Sequence, residues 1–271
     1  MVKATFVNKK VAIIGGGHMG LALAEGLVKG GKILPSQLWI ADPTLSKIQY
    51  LKKYSVKVTT NNSLAVSNAD IIFIAVKPRI VNEVVREVKK LTKDKILVSV
   101  AAAFNIKNLK AITQRGQRIA RIMPNLPVKY NKGVIGFFGE NISKAEKNLI
   151  LGVLSSLGIV VKVKNEKELD IITLVSACGP AIVSTFIEMF TSYAKERGLS
   201  KWVASNAVMQ TFISTLDYLN QSDISPSDFI QSVATKGGIT ETILKNLNKE
   251  FQKIFVQAME KGRIKIKMFK K

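Results

Sequence analysis

The 271-residue chain contains one cysteine and one histidine. Cys178 has no second thiol with which to close an intramolecular disulfide, which fits a reducing compartment and gives the expectation of a cytoplasmic protein. His18 is the whole imidazole supply and falls inside a glycine loop, so histidine-based metal sites and a Ser/His/Asp triad have no normally placed base. Without a histidine to activate it, Cys178 reads as a small buried residue rather than a nucleophile. No uninterrupted apolar stretch approaches the ~20 residues that span a bilayer, and MVKATFVNKK leads into the first strand without the apolar core of a signal peptide, so no membrane partner is expected. Acidic residues are also scarce: 19 Asp plus Glu face 41 Lys plus Arg, a formal net charge of +22. Such an excess suits nucleic acid, acidic surfaces or anionic metabolites. Its spread along the whole chain, with modest clusters at Lys52 and Lys53, Lys89 and Lys90, and Lys261 to Lys271, favours a solvated surface attracting anionic ligands over a nucleic-acid site. Trp39 and Trp202 read as buried or isolated rather than as stacking platforms.

What the chain does have is 47% hydrophobic residues, ample for a sizeable core, and a glycine pattern near its start. Residues 11 to 20 read VAIIGGGHMG, and the helix-compatible LALAEGLVKGG follows at once. The spacing G-x-G-x-x-G lets Gly15 make a tight turn out of a strand, Gly17 bring the backbone close to a pyrophosphate, and Gly20 pack helix on sheet. His18 and Met19 lie between, where free N–H groups at the helix start favour an anion. Asp42 ends the second apolar run, twenty-two positions after Gly20, where an acidic residue accepts hydrogen bonds from a ribose diol and repels a 2′-phosphate. The cofactor implied is NADH or NADPH, with NADH favoured by Asp42. Thr44, Ser46 and Lys47 keep NADPH open, and Asp42 with Pro43 can also be an ordinary turn.

The first 163 residues alternate short β-rich runs with helical patterns: residues 11–14, 38–42, 70–76, 96–101 and 118–123, then 134–138 and 158–163. Strands alternating with helices imply α/β architecture, a doubly wound parallel Rossmann sheet. Gly30 and Gly31 stop the first helix; Ile80, Val81, Val84, Val85, Val88 and Leu91 fall on one helical face; Ser143 with Glu146 forms a capping box for a helix starting at Lys144. Residues 164–271 change to long helical periodicity, an all-α C-terminal domain with candidate helices at 169–178, 181–197, 201–218, 227–234 and 239–261. Between Ile171 and Phe190 apolar residues exceed one stripe, which implies burial against a partner subunit or a single thick core.

Four further segments stand out. AVKP (75–78), SVAAAF (99–104) and RIMPNLP (121–127) sit at the carboxyl ends of parallel strands, where ligands of such sheets collect and where small residues and prolines also simply end strands. ATKGGITETIL (234–244) puts Gly237 and Gly238 before a helix start with Thr240, an arrangement able to bind a carboxylate or to serve as an interhelical turn.

Together, GGGHMG, AVKP, SVAAA, RIMPNLP, LVSACGPAI (174–182) and SVATKGGIT (232–240) resemble the pyrroline-5-carboxylate reductase family, in that family's order and spacing from about Val11 to Lys261. The resemblance implies an N-terminal Rossmann domain, and C-terminal helices that intertwine with those of a second copy in a homodimer or a higher homo-oligomer of dimers, with the active site at the interface. By matched position, Asn62 touches the adenosine side of the cofactor, Ala75, Val76 and Lys77 the nicotinamide ribose, and Ala101, Ala102 and Asn125 the nicotinamide end. Gly237, Gly238, Thr240 and Cys178 fall at substrate-binding positions, with Thr240 the candidate catalytic side chain. The chain departs from the family pattern with SACGP for S-G-S-G-P, TKGG for S-P-G-G, and Ala103 for a glycine. The implied reaction is hydride transfer from reduced nicotinamide to protonated L-1-pyrroline-5-carboxylate, giving L-proline. Two other readings stay open: another Rossmann imine or 2-hydroxyacid reductase, although the hydroxyacid motif G-x-x-G-x-G-x-x-x-K is absent, and a basic nucleic-acid-binding or scaffold protein on a nucleotide fold.

Overall fold

Val11–Ile14 is uniformly apolar and uniformly buried, as a strand covered on both faces must be. It is the first strand, β1, of a sheet seen in a computed structural model that describes residues 8–102 and 104–269; Ala103 and the last two lysines of the basic tail lie outside these. In chain order come α1 (His18–Gly30), β2 (Leu38–Ala41), α2 (Leu45–Ile48), β3 (Lys57–Thr59), α3 (Asn62–Ser67), β4 (Ile71–Ile74), α4 (Val81–Val88), β5 (Ile96–Ser99), α5 (Ile106–Ile112), β6 (Arg118–Pro124), β7 (Gly133–Glu140), α6 (Lys144–Leu154) and β8 (Gly158–Lys162). Then follow only helices: α7 (Glu166–Ile172), α8 (Gly179–Glu196), α9 (Lys201–Gln221), α10 (Pro226–Val233) and α11 (Ile239–Phe269).

The strand order is β3-β2-β1-β4-β5-β6-β7-β8, so the winding direction reverses between β1 and β4. Ligands of open α/β sheets bind outside the carboxyl ends of strands at such a reversal. The sheet is parallel except at one pair: β6 and β7 run antiparallel. The doubly wound parallel sheet is as expected, and this one pair is the departure from it. The connection from β6 to β7 holds only a short helical turn, Leu126–Tyr130, and a parallel pairing needs a crossover of a dozen residues or more. Edge strand β3 is a second departure, since its three residues KVT carry no apolar run from which to foresee it.

Alternate side chains of the central strands feed two cores. Ile13, Phe73 and Val98 pack with Leu23 and Leu27 of α1 and Val153 of α6, while Ala12, Ile14, Ile72 and Leu97 pack with Val66 of α3, Val85 of α4 and Leu109 of α5. On α4 the buried stripe is Val81, Val84, Val85 and Val88. Ile80, expected on that face, lies in the tight turn before the helix and is exposed. The capping box forms as read, with Ser143 Oγ accepting from Glu146 N.

Compactness divides the chain into Met1–Gly179 with Arg263–Lys271, and Pro180–Gly262. The first unit includes α7 because that helix docks on the sheet: Leu169 is fully buried, and a Cβ added at Gly136 of β7 would meet Leu169 and Ile172 at 2.8 Å. Residues Thr173–Ala177 form a π-helical turn in which Cys178 N donates to Thr173 O, and this turn leaves Cys178 exposed rather than buried as expected. In the second unit the aromatic pairs Phe186–Phe251, Phe190–Phe212 and Tyr218–Phe229 hold helices together at centroid distances of 5.7, 5.7 and 4.9 Å. Among its described residues only Thr191, Ala204 and Val208 are buried, so the thick single core does not form there. Trp202 is 75% exposed, so of the two readings, buried or isolated, burial is ruled out. The helical run Glu166–Glu196 is, by length and apolarity, able to cross a membrane, with mean hydropathy 1.7 in its best window. Uncharged Ser, Thr and Gly interrupt the run, so it holds no long unbroken apolar stretch.

Helix α1 approaches the Leu126–Tyr130 turn so closely that a Cβ on Gly26 would stand 2.2 Å from Val128 O. Alanine there is expected to destabilise the protein by about 1–3 kcal/mol, the usual cost of overpacking. That sign opposes the ~1 kcal/mol that alanine gains over glycine in an open helix, so a higher urea midpoint for Gly26→Ala at unchanged m-value would overturn it.

Candidate functional site

The carboxyl end of β1 is built by contacts that only glycine permits. Gly15 has φ +111°, and a Cβ there would lie 2.6 Å from Ala75 O; a Cβ on Gly20 would lie 1.9 Å from Gly15 O. Ala75 N donates to Ile14 O and Gly15 N to Ala41 O, both at 2.8 Å, which ties the ends of β1, β2 and β4 into one floor. Gly17 is the N-cap of α1, with no side-chain cap, no acidic residue in the first turn and nothing within 4 Å of an added Cβ. Its neighbouring amides therefore face open space at the positive end of the helix, where an anion is stabilised.

Asp42, just past β2, is 8% exposed. Its Oδ2 accepts from Gly16 N at 2.7 Å, its Oδ1 accepts from Thr44 N at 2.8 Å, and Lys47 Nζ stands 4.0 Å from Oδ1. The carboxylate thus holds the glycine loop while retaining lone pairs for a further donor.

A cavity of about 460 Å³ opens over this floor, within the range of small-molecule and cofactor sites. Of the residues singled out in the sequence it brings together Gly15, Gly17, Asp42, Asn62, Ala75, Val76 and Lys77. His18, Met19 and Gly20 lie on the first turn of α1 beside it. Strands β2 and β4 end at Ala41 and Ile74, shorter than their apolar runs, so Asp42, Ala75 and Val76 stand on loops facing the cavity. Thr60, Arg79, Glu83 and Glu87 also line it and had not been foreseen. Arg79 had a signal, adjacency to AVKP; the others are brought in by the pairing of β3 with β2 and by the exposed face of α4. Asn62 is oriented by Glu87, whose Oε2 accepts from Asn62 Nδ2 at 2.8 Å.

Ala101, Ala102 and Asn125 do not line this cavity. Ala101 is buried and Ala102 exposed beyond the end of β5. Asn125 is a clamp: its Oδ1 accepts from Val134 N at 2.9 Å, and its Nδ2 donates to Ser176 Oγ at 3.4 Å, linking β6 to the turn that carries Cys178.

In the second unit, Gly237 (φ +74°) and Gly238 form the turn into α11. Gly238 N donates to Thr235 O at 2.9 Å, and Gly237 N to Glu241 Oε2 at 2.8 Å. The Gly237 amide, with Lys245 Nζ 3.1 Å from the other oxygen, holds the Glu241 carboxyl below the usual carboxylate range. Both glycine amides are engaged within the turn, whereas those of Ile239 and Thr240, as the first of a helix, have no intrahelical acceptor. Thr240 is half-buried there and Lys236 is exposed. Among the described residues no group of His, Cys, Asp and Glu has metal-binding geometry.

Residues 10–103 match the family model described as NADP oxidoreductase coenzyme F420-dependent, and residues 166–268 match that for pyrroline-5-carboxylate reductase dimerisation. The apolar run that begins at Glu166 therefore opens a dimerisation module, which accounts for its exposed apolar surface without a bilayer. The chain is 31% identical over 233 residues to pyrroline-5-carboxylate reductase 3 of Danio rerio, covering 85% of this chain and 81% of that protein. It is 31% identical over 251 residues to pyrroline-5-carboxylate reductase 3 of Xenopus laevis, covering 92% and 91%. A crystal structure of the Plasmodium falciparum pyrroline carboxylate reductase with NADP bound superposes with a TM-score of 0.90 at 29% identity, over 98% of this chain and 100% of that one. With the glycine loop, the reversal point and the helical half all matched over nearly full length, the chain belongs to the pyrroline-5-carboxylate reductase family.

Proposed function

We propose that the protein reduces L-1-pyrroline-5-carboxylate to L-proline with NADH or NADPH. The observation that carries this reading is the uncapped, Cβ-free N-terminus of α1 at Gly17, opening on a cavity lined by Asp42, Asn62 and Ala75 to Lys77 in a chain of this family. When bound, the reduced nicotinamide would supply a hydride to the imine carbon, so that with the proton on nitrogen the π bond of C=N is replaced by one C–H and one N–H bond while the C–N single bond of the ring remains. The protein's own tasks are to hold and orient. Gly15, Gly17 and Gly20 admit the pyrophosphate to the first turn of α1, with His18 and Met19 supplying amides; Asn62 meets the adenosine side, and Ala75, Val76 and Lys77 the nicotinamide ribose. Ala101, Ala102 and Asn125 belong to the nicotinamide end.

For the second reactant, Gly237 and Gly238 keep side chains away from the start of α11, so a small carboxylate approaches the amides and hydroxyl of Thr240. Cys178 stands at a family serine position and serves substrate binding as a small group rather than as a nucleophile. The imine nitrogen takes its proton from solvent before reduction, and the iminium is already electrophilic, so positioning provides most of the acceleration. Thr240 or a water completes the hydrogen bonds around the nitrogen.

Asp42 favours NADH by its charge, and Lys47, 4.0 Å from it, offsets that charge and keeps NADPH usable. The working assembly is a homodimer through the C-terminal helices, and dimers build any larger oligomer. The compartment is the cytoplasm, where a lone thiol stays reduced.

Purified protein should oxidise NADH or NADPH only when the cyclic imine is present, and absence of turnover with either would overturn the assignment. Thr240→Val should raise KM for the imine about 10- to 100-fold, the worth of a hydrogen bond to a charged group, while KM for the cofactor stays within twofold; equal effects on both would argue against the carboxylate role. Lys47→Gln should lower kcat/KM about fivefold for NADPH and leave that for NADH nearly unchanged, as loss of ~1 kcal/mol from one exposed charge requires. A variant that affects both cofactors alike would remove Lys47 from the discrimination.

A further inference from the structure

Arg121 is 1% exposed, among the largest fully buried side chains of the protein, in a sheet whose buried residues are mostly apolar. It sits on β6 opposite Ser99 of β5 and Phe138 of β7. Its Nη1 donates to Glu166 Oε1 at 2.5 Å and its Nη2 to Ala101 O at 3.4 Å, while its Nε has no hydrogen-bond partner. The same Glu166 oxygen accepts from Ile106 N, the first amide of α5, at 3.0 Å. A buried ion pair of this kind adds little stability over an aliphatic residue of similar volume, and an unsatisfied N–H subtracts from it. Stability therefore gives a poor account of Arg121.

Location gives a better one. The guanidinium and Glu166 together grip both ends of the segment leaving β5: Ala101 by its carbonyl, and Ile106 by its amide. We propose that Arg121 and Glu166, the first residue of α7, are positioning residues that hold the Ala101–Ala102 backbone against the nicotinamide ring. The inference rests on the cofactor reading given above. A lysine cannot replace the pair of N–H donors that reach Glu166 and Ala101 from one planar group.

The test uses the full-length enzyme and three measurements: calorimetric Kd for NADPH, the fluorescence emission of bound NADPH, and kcat with the imine. Arg121→Lys is expected to keep Kd within threefold, lower kcat at least tenfold, and shift bound-cofactor emission back toward that of free NADPH. Glu166→Gln, a neutral replacement of the same size at a part-exposed side chain, is expected to change kcat and emission in the same direction by smaller factors. Wild-type kcat and emission in a folded Arg121→Lys would overturn the proposal. If Arg121→Lys does not fold, unchanged kcat and emission in Glu166→Gln would overturn it instead. A wild-type protein whose addition leaves emission and calorimetry unchanged with both NADPH and NADH would refute the cofactor reading itself, and this inference with it, by a result distinct from either variant's.

Discussion

The donor half of the molecule depends on how closely backbone passes backbone at the end of β1. A Cβ at Gly20 would stand 1.9 Å from Gly15 O, and one at Gly15 would stand 2.6 Å from Ala75 O. A side chain at either place would meet backbone closer than a real Cβ ever stands, so the glycine loop or its neighbours would have to shift. The constraint propagates: with Gly15 N bonded to Ala41 O and Ala75 N to Ile14 O, the ends of three strands share one plane. The cavity exists because the chain reverses its winding above that plane, between β1 and β4.

Polar side chains then lock the loops that the glycines make possible. Asp42 joins the glycine loop to the turn after β2; Asn125 joins β6 to β7 and to Ser176; Arg121 and Glu166 join β6, the exit from β5 and the start of α5. Asp42, Asn125 and Arg121 are buried, where a hydrogen bond is worth more than at the surface and an unmade one costs more.

The helical unit follows a different logic. Its aromatic pairs fix neighbouring helices, yet few of its residues are buried within one chain, and Trp202, Met189 and Phe190 stand open. A surface of this apolarity is stable in water only when another surface covers it, in keeping with a segment matched as a dimerisation module. The same physics makes the Glu166–Glu196 run pass a membrane criterion: interface helices and spanning helices both need apolar side chains all round.

Local pattern determined a great deal here. Apolar runs located seven of the eight strands, G-x-G-x-x-G located the turn into α1, and Ser143 with Glu146 located the start of α6, because each of these rests on neighbours a few residues apart. The glycine turn before α11 and the order of motifs that marks the family were legible for the same reason. Tertiary structure decided the rest. The antiparallel turn of β7, the edge strand β3, the exposure of Ile80, Cys178 and Trp202, and the double engagement of Asp42 depend on partners brought from far along the chain. Arg121 is the sharpest case: in sequence it is one basic residue among 41, and only the register of β6 beside β5, with Glu166 folded back on it, makes it a buried cation. Burial and pairing are properties of distance in space, which the spacing of residues along a chain does not contain.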